Sequence, residues 1–376
     1  MEVNKELNDQ DLKLELVQVI FRHGARTPVR EELDVYKFND VPAYEPWGVG
    51  QLTNDGKRQE YHFGSFLRER YGNFLSEYYQ SDDVYAYSTD VHRTKMSLQL
   101  VLAGLYPPVG HAVWNPDLKW SPIPYVHAPA VLDIFMKYHD NPRFQKLRYQ
   151  ACRTEEFRKK IAEYDDFLAF LSEQTNVNFD DDFLNVAFLY GVIVADERMN
   201  LPLPDWYKPE MKEKFRQLMG FVFDGFAFTL EMKKLGAGPL IKTIIENMNL
   251  KGSNINPRKI YLYSGHDFNI ALITRSHNIE DYRYPEFGCG LIFEKLRDCS
   301  NQVYVRLLAW TGSGTLIPLK LGNHKEFCPI DDYLKLVEPI IPSDNEIDEM
   351  LEDVSIRKFR NIFFNDHVVK PLHNKL

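Results

Sequence analysis

Residues 14–28 read LELVQVIFRHGARTP, and this stretch decides the fold. Its first eight residues are rich in Leu, Val and Ile, and a basic loop that contains Gly24 follows directly. A short apolar run bounded by a glycine is typical of a buried strand, which is predicted here over residues 14–21. The polar loop after this strand is therefore expected at one edge of a sheet.

The elements that follow repeat the order of strand, loop and helix. Thr53 is the predicted N-cap of a long helix over residues 53–79, and residues 84–88 predict a short strand. A second helix is predicted over residues 94–106, where two prolines stop it. This order is expected of a parallel α/β sheet.

The middle of the chain reads as helical, at residues 142–173, 181–199 and 209–235, with no clear strand between these segments. Strands and a late helix then return, at residues 260–263, 291–296, 303–310 and 331–337. The predicted fold class is therefore α/β, with a mostly parallel central sheet flanked by helices and an inserted all-helical cap domain.

The domain limits follow from this pattern. Residues 12–128 and 236–342 are predicted to form one discontinuous α/β domain, and residues 129–235 its helical cap. Residues 343–376 are predicted to form a C-terminal tail.

The composition narrows the class of protein. The chain has 376 residues, a net charge of −9 and a pI near 5.7, which argues against nucleic acid as a partner. A local cluster of Arg can still bind a small anion. No run of roughly 18 apolar residues is present, so no membrane span is predicted. The polar start of the chain lacks the apolar core of a signal peptide.

The cysteines leave the compartment open. Cys152, Cys289, Cys299 and Cys328 lack the close paired spacing of a zinc site, and no metal site is predicted. Their even number permits two disulfides without establishing a pairing. A cytoplasmic protein and a mature secreted protein both fit these facts.

The loop after the first predicted strand carries Arg22 and Arg26 on either side of His23. Guanidinium groups match the geometry of phosphate oxygens and stay charged at every relevant pH. Neighbouring cations lower the pKa of an imidazole and keep it neutral, so that it can attack phosphorus. His23 is therefore predicted to be a nucleophile that forms a covalent phosphohistidine. Gly24 is expected to let the backbone approach a ligand closely.

The pattern R-H-G-x-R-x-P over residues 22–28 resembles the signature of the histidine acid phosphatases, a branch of the histidine phosphatase superfamily. Chance occurrence of this pattern is on the order of 10⁻⁴ per chain of this length. Residues 67–71 and 96–108 most resemble insect venom and prostatic-type acid phosphatases. The resemblance covers most of the chain and implies a phosphate monoester hydrolase that needs neither metal nor cofactor.

The resemblance also implies further site residues. His266 and Asp267 follow the strand predicted at residues 260–263, where the family carries a His-Asp pair. Asp267 is the implied proton donor to the leaving oxygen, and His266 is expected to donate to a phosphate oxygen. Arg93, which follows Ser-Thr-Asp at residues 88–90, is implied as a third phosphate-binding guanidinium at a helix N-terminus.

Other residues near these motifs are expected to play lesser parts. A His-Asp pair at residues 139–140 and an inverted pair at residues 366–367 do not follow predicted strands, so both are expected at the surface. The resemblance places His92 where relatives often carry an acidic residue, and Ala25 where some acid phosphatases carry Asp and phytases carry Ala. Both are expected beside the pocket, where they would affect substrate preference rather than chemistry.

Two alternative functions remain open from the sequence. A phytase or inositol-polyphosphate phosphatase of the same superfamily would need extra Lys and Arg for several phosphates. A non-catalytic secreted binding protein could keep the same fold. For the acid phosphatase, the expected partner is a small-molecule or protein phosphate monoester, and a homodimer is possible. Secreted or lysosomal placement is implied by the resemblance alone.

Overall fold

The protein is described here by a computed structural model that covers residues 11–180, 182–252 and 257–354. Its strands are β1 (Leu12–Arg22), β2 (Val84–Ser88), β3 (Ile260–Gly265), β4 (Gly290–Asp298), β5 (Val303–Trp310), β6 (Leu316–Leu319) and β7 (Cys328–Pro329). All five predicted strands are present. The sequence analysis does not predict β6 and β7, because both are very short and each contains a proline, a residue that demotes a strand signal.

The sheet has the strand order β2-β3-β1-β4-β5-β6, and β7 pairs with β5. Strands β2, β3 and β1 are parallel, whereas the pairings that involve β4, β5, β6 and β7 are antiparallel. The expected α/β sheet is therefore confirmed, but it is mixed rather than mostly parallel. The reason is the short link at residues 299–302 between β4 and β5, since such a turn joins only antiparallel neighbours.

The helices are α1 (Arg30–Val35), α2 (Asn54–Tyr71), α3 (His92–Leu105), α4 (Pro142–Ala151), α5 (Glu155–Ile161), α6 (Asp165–Thr175), α7 (Asn185–Arg198), α8 (Met211–Phe226), α9 (Leu230–Gly236), α10 (Gly238–Asn247), α11 (Asp267–Ser276), α12 (Ile330–Val337) and α13 (Asp344–Asp353). Thr53 caps α2 as predicted, and its hydroxyl oxygen accepts a hydrogen bond from the Gly56 N–H at 3.2 Å. The helix ends at Tyr71 rather than at residue 79, and Gly72 follows it.

The middle of the chain is helical but more finely divided than predicted. The segment at residues 142–173 contains three helices, because Thr154 starts a new one by accepting a hydrogen bond from Phe157 N–H at 3.2 Å. Thr229 caps α9 in the same way and divides the segment at residues 209–235. No strand occurs among the described residues of the predicted cap. The division into an α/β domain and a cap domain stays a prediction.

Two apolar cores lie on opposite faces of the sheet. Side chains alternate along β1, so that Val17, Val19 and Phe21 pack with α2 and α3 on one face. Leu16 and Ile20 point to the other face, where the helices of the middle segment share their core. The sheet is thus covered on both faces, and its strand ends form the exposed edge at which a site can develop.

Two further expectations concern membranes and disulfides. In the described ranges, no helix is both long enough and apolar enough to cross a membrane. All four cysteines are described, and each is a free thiol. The disulfides that the cysteine count permits are therefore not formed in this structure.

Candidate active site

The site begins where three parallel strands end side by side. Arg22 at the end of β1 is in register with Gly265 at the end of β3. The His23 N–H donates to the Gly265 carbonyl at 3.1 Å, and the Thr89 N–H donates to the Ser264 carbonyl at 3.1 Å. The loops after β1, β2 and β3 therefore leave the same edge of the sheet, which is where ligands bind in open α/β sheets.

A cavity of about 130 Å³ opens at this edge. All six residues singled out from the sequence line it, namely Arg22, His23, Arg26, Arg93, His266 and Asp267. They come from segments far apart in the chain, and the strand register brings them together. Within the described residues, no group of three or more His, Cys, Asp or Glu side chains is arranged to hold a metal ion.

The structure explains the glycine at position 24 by a contact other than the expected close approach to a ligand. A Cβ atom at Gly24 would lie 2.3 Å from the carbonyl oxygen of Gly56, in the first turn of α2. The close approach is thus to the backbone of a helix rather than to a ligand. The same contact requires a glycine at position 56, because a Cβ atom there would lie 2.0 Å from the Ala25 carbonyl oxygen. Two facing glycines therefore seat the basic loop against α2.

His23 is held in one tautomer. Its Nδ1 lies 2.9 Å from the Gly24 carbonyl oxygen, and a carbonyl only accepts hydrogen bonds. Nδ1 must therefore carry the proton, which leaves the lone pair on Nε2. Burial lowers the pKa of His23 well below its ordinary value of 6.5, and the charges of nearby guanidinium groups lower it further. The ring is a neutral imidazole, and its Nε2 has no hydrogen-bond partner among the described residues.

Arg22 is fixed by three contacts. Its guanidinium forms an ion pair with Asp267 Oδ2 at 2.8 Å and donates to the Pro285 carbonyl at 2.6 Å. The group also lies 4.0 Å above the ring centre of Phe287. Arg22 ends β1 and Asp267 begins α11 just after the adjacent parallel strand β3, so their pairing joins the two loops that border the cavity.

Arg26 is held by Glu32, a residue that the sequence analysis misses. Its guanidinium donates two hydrogen bonds to the Glu32 carboxylate, at 2.8 and 2.7 Å, and Glu32 is 4% exposed. Gly191 in α7 makes room for this carboxylate, since a Cβ there would lie 2.1 Å from Glu32 Oε1. No sequence motif links these three residues, so only the fold reveals their contact.

Arg93 differs from the other two arginines. It lies in the first turn of α3 and is partly exposed, and it has no ion-pair or hydrogen-bond partner among the described residues. Burial, together with the nearby charge of Arg26, lowers the pKa of Arg93 to about 10. Arg93 therefore remains a cation, and its charge is available to an anion in the cavity.

His266 is anchored by a chain of hydroxyl groups. Its Nε2 lies 3.1 Å from Thr89 Oγ1, which lies 2.9 Å from Thr94 Oγ1. Its backbone N–H donates to Asn269 Oδ1 at 2.9 Å, so the first turn of α11 is also fixed. Burial lowers the pKa of His266 well below 6.5, and the charge of Lys137 adds to this effect. The rings of His23 and His266 meet edge to face, with centres 5.6 Å apart.

The expectation that the pair at residues 139–140 lies at the surface is wrong for His139, whereas the Asp140 side chain is 54% exposed. His139 is 3% exposed and lines the same cavity, with its ring centre 5.1 Å from that of Phe268. A 3₁₀ turn (Tyr138–Asp140), rather than a strand end, brings it there, which is why strand context does not reveal it. The pair at residues 366–367 lies outside the described residues.

The two departures from family residues do not border the cavity. His92 is exposed on α3, and Ala25 is 1% exposed beneath the loop. Neither side chain belongs to the cavity lining, although each is next in the chain to a lining arginine, and their effect on substrate preference stays a prediction. The Ala25 side chain does not reach the cavity because this residue packs against the first turn of α2.

Residues 13–309 match the family model of the histidine phosphatase superfamily (branch 2). Prostatic acid phosphatase from Rattus norvegicus is 32% identical over 89% of this chain and 88% of its own, and venom acid phosphatase Acph-1 from Apis mellifera is 33% identical over 96% of both chains. The chain belongs to the histidine phosphatase superfamily, branch 2, and its relatives include acid phosphatases.

The likeness extends to solved structures. The apo form of Hafnia alvei phytase aligns with a TM-score of 0.67, over 89% of this chain and 98% of the phytase chain. Its sequence is 19% identical, so this likeness shows the fold alone. The α/β architecture expected from the resemblance is therefore confirmed.

The buried histidines predict an acid-dependent loss of stability. Burial lowers the pKa of His139 from 6.5 to about 4, so the unfolded chain binds the proton first. The stability that the neutral ring contributes is complete above pH 6.5 and is lost as the pH falls towards 4. We expect His139→Leu to flatten this part of the stability curve, measured as urea midpoints against pH.

The matched control is His62→Leu, because His62 lies on the exposed surface of α2. It should leave the slope of stability against pH unchanged. An identical slope in wild type and His139→Leu would contradict the assignment of a buried neutral ring to His139.

Proposed function

We propose that this protein is an acid phosphatase that hydrolyses phosphate monoesters through a phosphohistidine on His23. The observation that carries the proposal is the free Nε2 of a neutral His23 in a cavity lined by three guanidinium groups. Membership of the superfamily and the acid phosphatase relatives support the same reaction. The substrate would be a small-molecule or protein phosphate monoester.

The first step would use the arrangement as follows. The phosphate is held by Arg22, Arg26 and Arg93, with His266 beside it. The His23 Nε2 lone pair forms a bond to phosphorus while the ester P–O bond breaks. The proton of the Asp267 carboxylic acid moves to the leaving oxygen, so that a neutral alcohol departs. The Gly24 carbonyl, which accepts from Nδ1–H, stabilises the positive charge that the ring gains.

The second step would return the enzyme to its starting state. Water attacks phosphorus as the Asp267 carboxylate takes up one of its protons. The N–P bond breaks, its electron pair returns to His23 Nε2, and inorganic phosphate leaves. Because Asp267 must be protonated in the first step, the proposal includes an acidic pH optimum. Arginine side chains supply the positive charge, and the proposal therefore requires no metal.

Arg22 connects phosphate binding to the acid. In the absence of substrate its guanidinium pairs with Asp267 Oδ2 at 2.8 Å. A phosphate dianion in the cavity would compete with that carboxylate for the same donors. Substrate binding would thereby weaken the pair and release the Asp267 side chain towards the leaving oxygen.

The pocket gives less support to the alternatives. A polyphosphate substrate needs several uncompensated cations, but Arg22 and Arg26 are paired with carboxylates and only Arg93 has no partner among the described residues. The cavity of about 130 Å³ is also smaller than the roughly 300–1,000 Å³ of pockets for drug-sized ligands. A non-catalytic binding protein would not need the neutral nucleophile beside a proton donor.

The nucleophile can be tested first. We expect His23→Ala to lower kcat for p-nitrophenyl phosphate by at least about 10³-fold, because the variant lacks the imidazole that would form the covalent intermediate. The measurement is initial rates from about pH 4 to about pH 8 with a chelator present, and wild type should be most active at acidic pH.

His62→Ala is the control, since this exposed histidine lies outside the cavity. Near-normal turnover by His23→Ala, or activity that disappears with the chelator, would refute the mechanism.

The proton donor can be tested through the leaving group. We expect Asp267→Ala to lower kcat/KM for an alkyl phosphate at least about tenfold more than for p-nitrophenyl phosphate. An alkoxide leaves poorly without a proton, whereas a nitrophenolate needs little help. Comparison of glycerol phosphate with p-nitrophenyl phosphate measures the difference, and equal losses for both would exclude Asp267 as the acid.

We also propose a homodimer, which the surface of the segment at residues 109–120 supports. Several large apolar side chains there are exposed, namely Val109, Val113, Trp114, Leu118 and Trp120. Trp114 is 57% exposed, and such a patch on a folded protein marks an interaction surface.

Secreted or lysosomal placement is proposed from the relatives, and a purely cytosolic location in fractionated cells would contradict it.

Trp114→Glu tests the dimer. We expect this change to convert a dimer into a monomer, because it places a charge in an apolar contact. Light scattering after size-exclusion chromatography gives the mass. Leu230→Glu is the matched control, since Leu230 is 55% exposed on α9, away from this segment. A wild-type monomer at all concentrations would refute the dimer.

A further inference from the structure

One wall of the cavity has no part in the proposed reaction. Lys137, His139 and Asp140 line it on and next to a single 3₁₀ turn, and Phe188 and Phe268 line it nearby. The phosphate-binding arginines come instead from the loops after β1 and β2. A phosphate held by those arginines leaves this second wall to face the alcohol part of a substrate.

The three polar side chains of this wall lie close together, and an ion pair joins Lys137 to Asp140. Lys137 Nζ lies 2.5 Å from Asp140 Oδ2, and His139 Nε2 lies 3.4 Å from Asp140 Oδ1. The Asp140 side chain is 54% exposed, compared with 13% for Lys137 and 3% for His139. The group that an incoming substrate meets first is therefore the carboxylate, while the ammonium group lies behind it.

The charges of the cavity make this carboxylate important. Four cationic side chains and three carboxylates line the cavity, namely Arg22, Arg26, Arg93, Lys137, Glu32, Asp140 and Asp267. With Asp267 protonated, as the first step requires, a bound phosphate dianion leaves the cavity without net positive charge. A second anionic group on the substrate would find no uncompensated cation, because Asp140 neutralises Lys137. An uncharged or cationic group would meet no such repulsion.

Two aromatic rings complete the wall. Phe188 is partly exposed, and no described aromatic ring stacks against it. Phe268 is also partly exposed and follows the proposed proton donor Asp267 directly in the chain. Aromatic faces stack on aryl groups and attract organic cations, and a carboxylate beside them strengthens the second preference.

We propose that Lys137, His139 and Asp140 form a leaving-group subsite in which Asp140 determines specificity. The subsite accepts aryl alcohols that are uncharged or cationic and rejects those that carry a second anionic group. The proposal rests on the acid phosphatase function proposed above. In it, Asp140 masks the charge of Lys137, and His139 positions Asp140 from its buried place against Phe268.

Three aryl phosphates of similar shape test the subsite. They are para-ethylphenyl, para-(carboxymethyl)phenyl and para-(aminomethyl)phenyl phosphate, in which a carbon atom separates the charge from the ring. The readout is kcat/KM for each charged substrate divided by kcat/KM for the neutral one, at about pH 6, where a carboxylate is ionised. These ratios cancel any general loss of activity.

We expect Asp140→Asn to raise the anionic-to-neutral ratio about fivefold and to lower the cationic-to-neutral ratio by a similar factor. Lys137→Met should shift both ratios in the opposite direction, because it leaves the carboxylate uncompensated. Asp117→Asn is the control of equal charge change, since Asp117 is exposed and lies outside the cavity lining. It should leave both ratios unchanged.

The outcomes separate this proposal from the one on which it rests. Unchanged ratios in Asp140→Asn, or equal losses for all three substrates, would overturn the subsite while wild-type turnover of the neutral ester still supports the phosphatase. Turnover of none of the three by folded wild type would instead refute the phosphatase function. If Asp140→Asn does not fold, the ratios of Lys137→Met decide, and a lack of change there also overturns the subsite.

Discussion

The parallel pairing of β1 with β3 is the constraint on which the site depends. It sets Arg22 opposite Gly265, so that the next residues of both strands, His23 and His266, leave the sheet side by side. Parallel strands end at a common edge of the sheet. His23 and His266 therefore lie side by side although more than two hundred residues separate them in the sequence. A shift of one residue in this register would turn the side chains to the opposite face and separate the two imidazole rings.

Ion pairs with carboxylates allow the arginine guanidinium groups to lie close together around the neutral imidazole of His23. Buried cations are costly unless a partner is present, and the structure supplies Asp267 to Arg22 and Glu32 to Arg26. Arg93, which has no such partner among the described residues, lies at the more open part of the cavity. The arrangement keeps the arginines in place without substrate, and it leaves positive charge for an anion.

The tight packing of backbone around this loop explains several small residues. Gly24 and Gly56 let the loop and α2 meet, and Gly191 lets Glu32 reach Arg26. Each glycine is needed because a Cβ atom would overlap a neighbouring atom by about an ångström or more. The sequence shows that these residues are small, but it does not show what approaches them, and a ligand was the wrong partner for Gly24.

The sequence by itself determined the strand that leads into the basic loop with Arg22, His23 and Arg26, and the family resemblance of its motifs added three further residues of the cavity lining. It could do so because these features are local: apolar runs, caps and short motifs carry their own physical signal. Only the tertiary structure decided that β4 to β7 run antiparallel, that Glu32 and Gly191 support Arg26, and that His139 and Asp140 share the pocket. Those facts depend on contacts between distant segments, and a contact of that kind leaves no pattern in the residues that make it.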